Sequence, residues 1–124
     1  MVNVPRDIAI YEDDILTRGL LQEWLAAAGY RVRVVDARHA ACDAPCDLVI
    51  VSVYMPKQAG ARCVQAIQAA HPGTPMLAIS GQFLPGLAAT GATAQMLRVE
   101  RVVAKPLNRC ELLRSVRAII GEPA

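Results

Sequence analysis

The chain has 124 residues, enough for one domain with a real core and too few for two. Hydrophobic residues make up 54% and aromatics only 4%, so the core must be built from Val, Ile, Leu and Ala, as in a buried parallel sheet covered by helices. The net charge of +2 is spread without a long basic block, no apolar run approaches a membrane span, and the amino terminus lacks a signal-peptide pattern; nucleic acid and membrane are set aside as ligands, and the expectation is a soluble cytoplasmic protein.

Short apolar runs alternate with helical patterns along the chain. Asp7–Tyr11 reads as a first strand. Asp14 caps a helix in which Leu16, Leu20, Trp24 and Ala28 recur every four residues as its inward face, and Gly29 ends it. Arg31–Val35 alternates charged and apolar residues, which suits an edge strand. The segment from Asp36 to Cys46 has room only for a short second helix of about two turns. Leu48–Val53 is a continuous apolar run and reads as a central strand.

Ala59–Ala70 reads as a helix stopped by His71, Pro72 and Gly73. Met76–Ile79 is a fourth strand. Gly86–Leu97 is a weak helix, since Thr90, Gly91 and Thr93 lower its propensity. Arg101–Ala104 is a fifth strand. Asn108 then caps a strong last helix, with Glu111 placed as in a capping box and Leu112, Leu113, Val116, Ile119 and Ile120 as its apolar stripe. Five strands alternating with helices imply an α/β fold with a doubly wound, five-stranded parallel sheet in a single domain, residues 1–124, with its core at about 7–120.

The four cysteines are Cys42, Cys46, Cys63 and Cys110. His39, Cys42 and Cys46 lack a fourth nearby metal ligand, and no Cys-x-x-Cys pair occurs, so free thiols acting as small apolar residues are the better reading. No cysteine has an evident activating neighbour in sequence, which argues against a redox role.

Open parallel sheets gather ligands at the carboxyl ends of their strands. Glu12 and Asp13 follow the first strand, Ser52 ends the third, Ser80 follows the fourth and Lys105 follows the fifth. Carboxylates suit a hard cation such as Mg2+, a lysine supplies a point charge to a phosphoryl group, and a hydroxyl donates a hydrogen bond to it. Each also has a plain structural reading: helix capping for the acids, a turn for Ser80-Gly81, a surface position for Lys105.

The run from Asp47 to Ser52, leading into Met55-Pro56, resembles the receiver domain of two-component response regulators, the CheY-like family, as do Glu12-Asp13, Ser80 and Lys105-Pro106. The resemblance spans about Asp7 to Ile120. It implies a flavodoxin-like fold with strand order 2-1-3-4-5. In that family the position three before Met-Pro carries the aspartate that accepts the phosphoryl group. Here it is Ser52. The resemblance also implies a cation ligand at the backbone carbonyl of Tyr54, and a switch in which a hydroxyl residue, here Ser80, pulls its loop inward. The position three before Lys105 often holds a Tyr or Phe whose ring rotates with that hydroxyl. Here it is Val102, stiff and without a ring.

A serine hydroxyl is a poor nucleophile without a base, and its phosphomonoester would lack the ready hydrolysis of an acyl phosphate. Losing a carboxylate also weakens any Mg2+ site. The sequence establishes no cofactor, and Mg2+, the one candidate, is expected to bind weakly. The expectation is therefore an atypical receiver that is not an enzyme and binds a protein partner independently of phosphorylation. That partner would be a histidine kinase, a phosphotransfer protein or an output protein. By analogy, the binding or homodimer face is the family's fourth helix, fifth strand and fifth helix, where Arg98, Arg101, Arg109, Arg114 and Arg117 fall. One alternative is a conventional phosphorelay receiver whose aspartate was substituted, by design or in a natural variant. The other is a flavodoxin-like enzyme or ligand-binding protein. Against that stands the acidic Glu12-Asp13-Asp14 loop, where a phosphate-binding chain would be Gly-rich. The expected receiver either stands alone or is cut from a longer protein.

Overall fold

The structure is a computed structural model, and it describes residues 6–35, 46–53, 58–81, 94–95 and 98–122. The strands are β1 (Asp7–Tyr11), β2 (Arg31–Val34), β3 (Leu48–Ser52), β4 (Met76–Ser80) and β5 (Arg101–Ala104). The helices are α1 (Ile15–Ala28), α2 (Gln58–Ala70) and α3 (Arg109–Ile120). The strands form one parallel sheet in the order β2-β1-β3-β4-β5. The expected boundaries hold to within one residue, and Ser80 lies inside β4 rather than after it. The short second helix expected over 36–46 falls outside the described residues except at Cys46. The weak helix expected at Gly86–Leu97 does so too, except for a helical step at Ala94 and Gln95.

Burial follows position in the sheet. Every residue of β3 and β4 is buried, because both strands have neighbours on each edge and layers on each face. β2 lies at the edge, and its residues are exposed or half-buried. Side chains alternate between two apolar layers, as a period of two requires. Ala9, Tyr11, Val49, Val51, Met76, Ala78 and Val102 face Val64 and Ile67 of α2. Ile8, Ile10, Leu48, Ile50, Leu77, Ile79 and Val103 face Leu21 and Leu25 of α1 and Leu112, Leu113 and Val116 of α3.

Side chains cap both flanking helices. Asp14 Oδ2 accepts from the Thr17 N–H at 2.9 Å and from its hydroxyl at 2.6 Å, and these bonds hold the Asp14 carboxyl below its ordinary pKa. Asn108 Oδ1 accepts from the Glu111 N–H at 3.1 Å. Gly29, at φ 107°, closes α1 in the left-handed conformation that a side chain would strain. The Tyr30 hydroxyl donates to the Gly121 carbonyl at 2.8 Å, tying the end of α1 to the end of α3.

One expectation is overturned. Leu16 and Leu20 do not face the core: Leu16 is 79% exposed, Leu20 40% and neighbouring Ile15 71%. The buried residues of α1 are Leu21 and Leu25, with Trp24 and Ala28 packed at their side. Four residues advance a helix by about 40° more than a full turn, so a strict four-residue stripe winds around it. Only its later members reach the sheet.

Candidate functional site

The carboxyl ends of β1, β3 and β5 bring three polar side chains together. Lys105 Nζ lies 3.0 Å from Ser52 Oγ and 3.0 Å from Glu12 Oε2. Strand alternation explains the meeting. Ser52 continues the Leu48–Ile50 face, Glu12 the Ile8–Ile10 face and Lys105 the Val103 face, all on the side covered by α1 and α3. β1 and β3 are neighbours, β4 lies between β3 and β5, and the long Lys105 side chain reaches back across both gaps.

The Glu12 side chain is fully buried and that of Lys105 is 18% exposed. Lys105 meets Oε2 as a close charge contact outside good hydrogen-bond alignment. The other oxygen, Oε1, accepts from the Asp14 N–H at 2.9 Å. Glu12 therefore joins the turn into α1 to the end of β5. A buried carboxylate is costly unless paired, and the lysine supplies the pairing charge. Ser52, at 6% exposure, accepts from the same ammonium with its hydroxyl oxygen.

The other expected site residues are placed as follows. Asp13 is exposed beside this cluster, and Asp14, rather than Glu12 or Asp13, caps α1. Ser80 is fully buried in β4, and its carbonyl accepts from the Lys105 N–H at 3.0 Å. The Lys105–Pro106 bond is cis. Val102 is buried in the layer under α2. Tyr54 falls outside the described residues.

Of the arginines, Arg98, Arg109, Arg114 and Arg117 are exposed and Arg101 is half-buried. Arg117 Nε lies 3.4 Å from Glu122 Oε2, so part of its charge is met within the chain. Arg98 adopts φ 59°, and its carbonyl accepts from Gln68 Nε2 at 2.7 Å.

The three acidic or hydroxyl groups fit a tightly held Mg2+ poorly. Both oxygens of Glu12 are engaged, and Lys105 cancels one of the two nearby carboxylate charges. Among the described residues no cluster of three His, Cys, Asp or Glu side chains is placed to hold a metal. His39 and Cys42 lie outside the described residues.

Two features escaped the sequence reading. One is the apolar strip Ile15–Leu16–Leu20, exposed on α1 directly after the acidic loop. The other is a buried contact between Tyr11, His71 and Cys46, which joins positions far apart in sequence. It gives Cys46 an imidazole neighbour in space that its sequence surroundings do not contain.

The family model of the response regulator receiver domain matches residues 8–117. The chain belongs to that family. Solved receivers share the fold. The chemotaxis protein CheY4 of Vibrio cholerae is 24% identical, with a TM-score of 0.74 over 94% of this chain and 99% of that one. The receiver domain of the sensor histidine kinase PA1611 from Pseudomonas aeruginosa PAO1, which has a magnesium ion coordinated in its active-site cleft, is 24% identical. Its TM-score is 0.74, over 96% of this chain and all of that domain (100%). A CheY-like receiver from Methanospirillum hungatei JF-1 is 17% identical, with a TM-score of 0.73 over 93% of both chains. No protein of curated function matches significantly. The receiver is a module of two-component signalling, and its described residues contain no helix long and apolar enough to cross a membrane.

Proposed function

We infer that this receiver works without phosphotransfer, as a protein-binding module. Ser52 takes the place of the acceptor aspartate. The observation that carries the reading is the Glu12–Lys105–Ser52 cluster. Its lysine is already neutralised by one buried carboxylate and bonded to the serine hydroxyl, and the contact of that hydroxyl among the described residues is to this cation and not to a base. Glu12 is committed to Lys105 and to the turn, and an ionised carboxylate so engaged is a weak base. Val102, packed in the core, supplies no ring to swing with Ser80. Glu12, Asp13 and the Tyr54 carbonyl are what remains of a cation site that holds Mg2+ weakly at best.

Two surfaces support a binding role. Arg98, Arg101, Arg109 and Arg114 present positive charge from the stretch before β5 to the start of α3, and fit an acidic protein partner or a second copy of the chain. The strip Ile15–Leu16–Leu20 adds exposed apolar area on α1. The partner classes are a histidine kinase, a phosphotransfer protein or an output protein.

The test is to incubate the chain with a small acyl phosphate donor and Mg2+ and to measure its mass. No phosphoadduct is expected. An acid-stable adduct on Ser52 would sink the reading. The Ser52→Asp variant is run beside it. A labile phosphoprotein with tighter Mg2+ binding there means that one residue separates this pocket from a conventional phosphorelay receiver. Neither effect means that the loss extends to the rest of the cluster.

A further inference from the structure

Tyr11, His71 and Cys46 form a chain of contacts on the α2 side of the sheet, on the opposite face from Ser52. Cys46 Sγ lies 3.6 Å from His71 Nδ1, and His71 Nε2 lies 2.6 Å from Tyr11 Oη. The two rings meet edge to face, their centroids 5.7 Å apart at 81°. The histidine is 6% exposed, and its backbone N–H donates to the carbonyls of Ile67 and Gln68 at the end of α2. The ring is thus fixed between a phenol and a thiol. Cys46 itself is half-buried against the same apolar layer.

A thiol attacks only as its sulfur loses the proton, and a neutral imidazole within hydrogen-bond reach accepts that proton. Among the described residues, the groups facing His71 are Tyr11 from β1, Arg33 from β2 and Cys46 from the approach to β3. Burial first, and then the Arg33 charge, hold the imidazole pKa below its ordinary value, so the ring is neutral at pH 7. Once Nδ1 has taken the thiol proton, Nε2–H donates to the Tyr11 oxygen, and the charged ring keeps both partners.

We propose that Cys46 is a modification site, a thiol activated by His71 that reacts with small electrophiles, of which hydroperoxides are the physiological class. The thiol proton passes to Nδ1 as the sulfur electron pair attacks the terminal peroxide oxygen. The O–O bond breaks, and the departing alkoxide or hydroxide takes the proton from the imidazolium and leaves as an alcohol or water. Cys46 becomes a sulfenic acid, oxidised by two electrons, and the peroxide is reduced by two. The site gives a receiver without phosphotransfer a chemical input of its own.

The test uses the full chain carrying Cys42→Ser, so that Cys46 is the lone thiol of its peptide, with glutathione in the same tube. Iodoacetamide alkylation of each thiol is followed by mass. An unassisted thiol is about 3% ionised at pH 7, which leaves room for about 30-fold activation. Cys46 is expected to react about tenfold faster than the free thiol at pH 7. His71→Asn is expected to remove that advantage, yet to change the rate at about pH 9.5, where thiols ionise unaided, by less than about twofold. Under hydroperoxide, a sulfenic-acid trap is expected to label Cys46 in the parent and not in His71→Asn. Reaction of Cys46 no faster than that of glutathione at pH 7 overturns the proposal, and this comparison needs no histidine variant to fold. An equal effect of His71→Asn at both pH values also overturns it, because a ring that merely shapes the site would act alike at each.

Discussion

Replacing Lys105 with methionine would leave the Glu12 carboxylate buried without its cation while keeping most of the side-chain volume. At 3.0 Å, and with an effective dielectric of about 20, the lost attraction is about 5.5 kcal/mol. The chain has a cheaper escape, because Glu12 can take up a proton. Protonating a carboxyl of ordinary pKa at pH 7 costs about 3.7 kcal/mol, so the penalty saturates near that value. The lost hydrogen bond to Ser52 adds about 1 kcal/mol. The expected destabilisation at pH 7 is therefore about 3 to 5 kcal/mol, read from urea unfolding of the variant against the parent.

The same arithmetic fixes the signature. At pH 5 protonation of Glu12 costs only about 1 kcal/mol, so most of the deficit should vanish between pH 7 and pH 5. The double variant Glu12→Gln with Lys105→Met should be more stable at pH 7 than Lys105→Met alone, since an amide needs no cation and its carbonyl can still accept from the Asp14 N–H. A deficit under about 1 kcal/mol at pH 7, or one equal at both pH values, would show that Lys105 does not neutralise Glu12 and would refute the account of the cluster.

Two further outcomes test the fold around it. Leu25→Ala empties a fully buried position and should cost about 2 to 5 kcal/mol, whereas Leu16→Ala, at 79% exposure, should stay within about 0.5 kcal/mol in the same denaturation assay; the reverse order would restore the four-residue stripe as the inward face of α1. Because His71 has its pKa depressed in the fold, its contribution is complete above about pH 6.5 and is lost as acid protonates the unfolded chain first, so the stability of the parent relative to His71→Gln should fall on lowering the pH below about 6.5, with a slope no steeper than about 1.4 kcal/mol per pH unit. A difference between the two chains that is flat across that range in thermal unfolding would mean that the ring titrates normally.

The strands were legible because burial on both faces writes them as unbroken apolar runs. Leu48–Ser52 and Met76–Ser80 allow little else, and the charged alternation of Arg31–Val34 marked the sheet edge. The ends of α1 and α3 were legible because Asp14 and Asn108 satisfy donors that a helix leaves open. Strand order was not legible in periodicity, which fixes which face a residue takes and not which strand lies beside it. The inward face of α1 was misread for a related reason: leucines at a spacing of four look aligned in sequence, while the sheet selects Leu21 and Leu25 by where the helix lies.

The candidate cluster shows how far such reading goes. Glu12, Ser52 and Lys105 could each be suspected from their places at strand ends, and alternation alone puts all three on one face. What the sequence could not supply is that Glu12 is fully enclosed, and that one lysine serves both it and the serine. That enclosure changes the chemistry. An exposed carboxylate pair would be available to a cation, but a buried one that already has its counter-charge must give up Lys105 before it can bind another. Tyr11, one residue earlier, points the other way and meets His71 and Cys46 beneath α2. Alternation at the end of β1 therefore sends adjacent residues to two separate clusters, one closed around a lysine and one poised around a thiol. A signal reaching the thiol need not pass through the serine, and the two can be tested independently.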